Sequence, residues 1–170
     1  IICHGMGVAR RIAHLTYRSE TELDLRFGRS PQRDEDPYGA DASRSRGRFA
    51  VESYLDHHAE KLTRRFDANT YVALTEAMSL FDVGRGRGGV ASALSTIHAP
   101  LTVVGIDSDR LFPLRLQSEL VELTPGADEL HVLRSPYGHD GVLVEAEQVG
   151  AFIHHAIDRA TSDQRGNPRP

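Results

Sequence analysis

Two apolar runs that each stop abruptly at acidic or histidine residues constrain this chain more than any other feature. Residues 101–106 (LTVVGI) end at Asp107-Ser108-Asp109, and residues 130–133 (LHVL) lead through Ser135-Pro136-Tyr137-Gly138 to His139 and Asp140. Short apolar runs rich in β-branched residues and closed by turn formers are expected to be buried strands. Between them Pro113 opens a helical pattern with Leu116, Leu120 and Leu123 on one face, and Pro125-Gly126 ends it. Strand, helix and strand in that order predict a parallel crossover unit. Ligands of open α/β sheets lie just beyond the carboxyl ends of the strands, so Asp109 and His139 are expected on adjacent loops at one sheet edge. Spacing does not separate Asp109 from Asp107, because residues two apart in an extended segment share a face.

An acid after one strand and a histidine after the next is the order in which α/β-hydrolases complete a Ser, Asp, His triad. The histidine takes a proton from a nucleophilic hydroxyl, and the carboxylate fixes its tautomer and stabilises the imidazolium. No serine here lies in a G-x-S-x-G elbow: Ser92 is flanked by alanines, Ser108 by aspartates, and Ser135 precedes a proline. Cys3 has no elbow around it and reads as an inert thiol.

Several motifs in order carry a family resemblance. They are G-x-x-x-A-R followed by RIAHLTYRSE at 5–20, RFAVESYLDHHAEKLTRRFDANTYVALTEAM at 48–78, GIDSDRLFP at 105–113 and SPYGHDGVLVE at 135–145. Together they resemble the C-terminal half of homoserine O-acetyltransferase, an α/β-hydrolase-fold enzyme of methionine biosynthesis. The resemblance covers the chain except for 29–47 and the end after about residue 160. It implies the C-terminal part of an α/β-hydrolase fold with an inserted helical lid. It also implies acetyl-CoA as co-substrate, L-homoserine as acceptor, no metal or prosthetic group, and a homodimer formed through the lid helices. The Ser-Asp-x-Leu-Phe-Pro match marks Asp109 as the triad acid and the Gly-His-Asp match marks His139 as the base. Arg10 and Tyr17 then correspond to substrate-contacting residues, and Asp140 to the acid that binds the ammonium group. The first strands, the oxyanion hole and the nucleophilic serine are expected upstream of Ile1, so the chain reads as a fragment, inactive by itself. Succinyl transfer, ester hydrolysis on the same scaffold and a catalytically silent dimerisation module are the alternatives.

The remaining segments are organised around this unit. Residues 1–98 read as the helical lid region and 99–160 as the sheet region, with 161–170 as a disordered tail. Val8, Ile12 and Leu15 share a helical stripe from which Arg10, Arg11 and His14 stand off, so spacing alone makes Arg10 a solvated residue. Ser19 and Glu22 form a capping-box pattern for a short second helix. The polar stretch 28–48 is expected as an exposed mobile loop. Two further helices follow, 49–66 and 70–81, the latter capped by Asp67 or Asn69. His57-His58 does not suggest a metal site, since neighbours on a helix point about 100° apart. Residues 84–89 (GRGRGG) read as a hinge and not as an RNA-binding element: the copy is single, and a net charge of −4 gives no general attraction to nucleic acid. Short helices are expected at 90–98 and 145–157, the latter packing Val149, Phe152, Ile153, Ala156 and Ile157 on the sheet. No apolar stretch nears the roughly 18 residues of a membrane span. A single cysteine excludes an internal disulfide framework and fits a reducing cytoplasm.

Overall fold

The computed structural model describes residues 2–39 and 46–166, with the backbone alone for 2, 3 and 163–166. The Cys3 side chain, residues 40–45 of the expected loop and the end of the expected tail at 167–170 lie outside the described residues. The chain divides into two compact units, Ile1–Phe81 and Asp82–Pro170. The division falls before the glycine-rich segment, whereas the sequence predicts a boundary after residue 98. Backbone hydrogen bonds explain the shift: Gly126 N–H donates to Ile97 O at 3.3 Å and Leu101 N–H to Gly126 O at 2.8 Å, tying the 90–98 region to the sheet.

The first unit holds α1 (Ile2–Tyr17), α2 (Glu20–Arg26), α3 (Ala50–Arg65) and α4 (Ala68–Leu80). Ser19 caps α2 by accepting from Glu22 N–H at 3.0 Å, as the capping pattern predicts. Asp67 caps α4 by accepting from Thr70 N–H at 2.7 Å, which settles the choice against Asn69. Met6, Leu62 and Ala68 form the buried cluster, with Tyr71 packed against it.

Helix α1 does not turn its apolar stripe inward. Arg11 donates to Asp56 of α3 at 2.9 Å and His14 meets the Tyr54 hydroxyl at 2.7 Å, whereas Ile12 is 56% exposed and Val8 and Leu15 are also exposed. The α1–α3 contact thus combines these polar partners with buried Met6 and Leu62, and the Val8, Ile12 and Leu15 stripe is not buried within this unit. The stretch expected as a mobile loop is tied across its described parts. Pro31 and Phe49 form an antiparallel bridge, and the Arg48 guanidinium pairs with Glu35 at 2.7 Å.

His14 sits in a polar cluster that couples this unit to pH. Arg18 Nε donates to the Tyr54 oxygen at 2.9 Å, and the same hydroxyl lies 2.7 Å from His14 Nδ1. Burial, reinforced by the charges of His58, Arg10, Arg18 and Arg26, lowers the His14 pKa to about 4. The folded pKa lies below the unfolded one, so the unfolded chain takes up a proton first as pH falls. The stabilisation is therefore complete above about pH 6.5 and is lost as pH falls through about 4. The ring is partly exposed, so solvent screening limits the effect to on the order of 1 kcal/mol. Thermal melts of wild type and His14→Gln between pH 7 and 4.5 check this: the variant should show a shallower loss of Tm, and parallel profiles would refute it.

The second unit contains α5 (Val90–Leu94), β1 (Leu101–Ile106), α6 (Leu114–Leu123), β2 (Ala127–Leu133), a 3-10 turn (Gly138–Asp140), α7 (Gly141–Val144) and α8 (Ala146–Gly166). The two strands pair in parallel, from Val103 opposite Leu130 to Ile106 opposite Leu133, with α6 as the crossover. This is the expected strand, helix and strand. β2 starts at Ala127, earlier than residue 130: polar Asp128 and Glu129 fall at a register shift between the Leu101–Ala127 and Val103–Leu130 pairs and carry no apolar signal. α5 ends at Leu94, short of residue 98. The glycine-rich segment is a closed turn: Gly89 N–H donates to Gly84 O at 3.2 Å, and a Cβ on Gly84 would lie 2.6 Å from the Gly89 backbone.

α8 runs on through Gly166, past the residue-160 boundary of the sequence reading. Its apolar face is only partly covered. Val149, Phe152, Ile153 and Ala156 line a hollow with β1, while Ile153 and Ile157 remain more than half exposed. Among the described residues no helix is long and apolar enough to cross a membrane.

Candidate active site

The loops after β1 and β2 are stitched together before any catalytic group is considered. Asp107 Oδ1 accepts from Ser135 N–H at 3.1 Å, and Gly138 N–H donates to Ser108 Oγ at 3.0 Å. Gly138 itself has φ of +63°, a left-handed conformation that L side chains rarely adopt, and this bend presents His139 on the 3-10 turn.

Across these loops His139 Nδ1 lies 2.8 Å from Asp109 Oδ2. Asp109 is buried, and its other oxygen accepts from the N–H groups of Leu111 at 2.8 Å and Phe112 at 3.0 Å. Both carboxylate oxygens are thus engaged, which fixes the plane of the carboxylate and with it the imidazole. The Phe112 ring stands edge-on to His139 with centroids 5.0 Å apart and narrows the orientations left to the histidine. The structure thereby separates two aspartates that spacing could not: Asp107 serves the loop backbone and Asp109 the imidazole. A carboxylate on Nδ1 holds the proton there, so proton exchange with a reactant falls to Nε2.

The pair opens on a hollow of about 360 Å³ walled by apolar groups such as Val104, Ile106, Phe112 and Phe152. Asp140, half-buried, follows His139 directly and precedes α7.

In the first unit Arg10 and Tyr17 share one concavity of about 370 Å³, together with Arg65, Tyr71 and Met78. The structure therefore brings Arg10 and Tyr17 into one pocket, and Asp109 and His139 into another. Two guanidinium residues beside aromatic and thioether groups suit an anion carried on a small organic body. Phe112 and Arg65 were missed as site residues. Phe112 lies inside the quoted Leu-Phe-Pro motif, whereas Arg65 carries no sequence signal.

No protein-family model matches the chain. A homoserine O-acetyltransferase of Thermobifida fusca (strain YX) is 60% identical over 153 residues, 90% of this chain and 39% of that protein. One from Mycolicibacterium smegmatis is 56% identical over 156 residues, 92% of this chain and 40% of that protein. The chain spans about two fifths of the length of these curated relatives. Among solved structures, a homoserine O-acetyltransferase from Bacillus anthracis superposes with a TM-score of 0.69 at 18% identity, over 88% of this chain and 41% of that one. Esterase E22 superposes with a TM-score of 0.70 at 18% identity, over 91% of this chain and 42% of that one. The resemblance seen in the motifs thus extends across nine-tenths of the chain, and the fold is part of an α/β-hydrolase fold.

Proposed function

We propose that this chain, similar over nine-tenths of its length to homoserine O-acetyltransferases, supplies the acid and base of an acyltransferase that moves acetyl from acetyl-CoA to the hydroxyl of L-homoserine in methionine biosynthesis. The observation that carries the reading is the 2.8 Å contact of His139 Nδ1 with buried Asp109 on neighbouring strand-end loops. In the reaction an upstream serine loses its proton to His139 Nε2 and attacks the thioester carbon. The tetrahedral intermediate collapses with departure of coenzyme A, which takes that proton as a thiol. His139 then accepts the homoserine hydroxyl proton, the alkoxide attacks the acetyl-serine, and the serine oxygen leaves with the proton returned by His139. Asp109 stabilises the imidazolium in both halves. No metal or prosthetic group takes part.

Arg10 is proposed to bind the homoserine carboxylate through its planar fork, with Tyr17 beside it, and Asp140 to bind the ammonium group. The helices of the first unit are proposed to act as a lid and as the contact of a homodimer; Val72, Leu80 and Phe81, the last 75% exposed, expose apolar side chains on and after α4 that such a contact would cover. The proposed location is the cytoplasm. The 170-residue chain alone, which has no nucleophile elbow, is proposed to be inactive.

Thiol release from acetyl-CoA, measured on a protein that carries this chain with its nucleophile, tests the reading. Release should require homoserine and yield O-acetylhomoserine, and Arg10→Ala should raise the homoserine KM by roughly one to two orders of magnitude, as expected for a lost charged hydrogen bond. Preference for succinyl-CoA would assign the succinyl reaction instead, and equal release without homoserine would make the protein a hydrolase.

A further inference from the structure

Three ligand-type side chains come together away from the Asp109–His139 pair, at the start of β2 and on α8. Asp128, His131 and His155 place a carboxylate oxygen and two ring nitrogens all within 4.8 Å of one another. His131 Nε2 is 3.2 Å and His155 Nε2 2.8 Å from Asp128 Oδ2. Ligands of a tetrahedral zinc ion, bound at about 2.0–2.1 Å, stand roughly 3.3 Å apart, so two of the three edges are near that size already. The other carboxylate oxygen, Asp128 Oδ1, is buried and has no hydrogen-bond partner among the described residues, so a cation bound through both carboxylate oxygens would satisfy it. His131 and Asp128 are largely buried, whereas His155 is 43% exposed in its side chain and gives an ion a path from solvent.

We propose that Asp128, His131 and His155 form a binding site for a divalent transition metal of the zinc type, joining β2 to α8. Two imidazoles and one carboxylate favour Zn²⁺, Co²⁺ or Ni²⁺ over Mg²⁺ and Ca²⁺, which prefer oxygen ligands. Water completes the fourth position. Arg159 sets the strength of the site. Its guanidinium lies 3.1 Å from Asp128 Oδ2 and is held by the carbonyl of Leu101 at 2.9 Å, so a fixed positive charge opposes the ion. The site is therefore weaker than the same three ligands would be without that charge. Binding turns both rings so that their Nε2 lone pairs face the ion and the ring proton resides on Nδ1.

Calorimetric titration of the chelator-treated protein with ZnCl2, on the longest chain that carries this sequence, tests the assignment. One ion per chain and a raised Tm are expected, with no response to millimolar MgCl2. His155→Ala, at a largely exposed position where the fold should tolerate it, should weaken Zn²⁺ binding by at least about tenfold, and the His131→Ala, His155→Ala double variant should abolish it. Four-coordinate Co²⁺ absorption should appear in wild type and vanish in the double variant. Absence of saturable Zn²⁺ binding, or unchanged affinity and Co²⁺ spectrum in the His155→Ala and double variants, overturns the proposal and leaves the cluster as an ion-pair network around Asp128.

Discussion

Asp109→Asn, made in a protein that carries this chain with its nucleophile, should lower kcat for acyl transfer by about 10⁴ with little change in the homoserine KM. The substitution keeps the shape of the side chain, and the amide oxygen can still accept from the Leu111 and Phe112 N–H groups that hold Asp109 Oδ1. What it removes is the negative charge facing His139 Nδ1 at 2.8 Å. The imidazole then loses its preferred tautomer and the stabilisation of its protonated form. His139→Ala, which deletes the base, should reduce the rate at least as far, and the double variant should be little worse than either single one because the two residues act as a unit. Asp107→Asn is the control. Asp107 accepts from the Ser135 backbone at 3.1 Å and has no part in the proton transfer, so its loss should cost far less. Steady-state thiol release for the four variants decides the matter: if Asp107→Asn fell as far as Asp109→Asn, the acid would be misassigned.

Leu133→Ala should be the most damaging core substitution in the second unit, by about 2–5 kcal/mol. Leu133 is 1% exposed and ends β2, opposite Ile106 at the end of β1. Truncation removes the packing beneath the point where the loops carrying Asp109 and His139 leave the sheet, and a two-stranded pairing has few other contacts to relax into the space. Urea unfolding should show a lower midpoint at nearly constant slope. Leu133→Met, which conserves volume, should cost under about 1.5 kcal/mol. Equal midpoints for Leu133→Ala and wild type would show that this leucine does not anchor the loops.

Much of this architecture was legible in the residues because local rules point the same way as the fold. LTVVGI can bury itself only as a strand, Pro113 and Pro125-Gly126 bracket one helix, and Ser19 with Glu22 writes its own cap. The motifs around Asp109 and His139 predict them as a pair, and the two side chains meet at 2.8 Å. Short elements escaped for the opposite reason. The turn Gly138–Asp140 and α7 are too brief to show a period, and polar Asp128 and Glu129 disguised the start of β2.

By itself, then, the sequence determined the strand, helix and strand unit, since hydrophobic period, caps and turn residues are properties of neighbours along the chain. Tertiary structure alone decided which aspartate meets the imidazole, that α1 meets α3 through Met6, Arg11 and His14 and not through Val8, Ile12 and Leu15, and that Asp128, His131 and His155 gather at one point. Those are contacts between residues distant in the chain. Their partners are set by the packing of whole elements, and no local spacing encodes them.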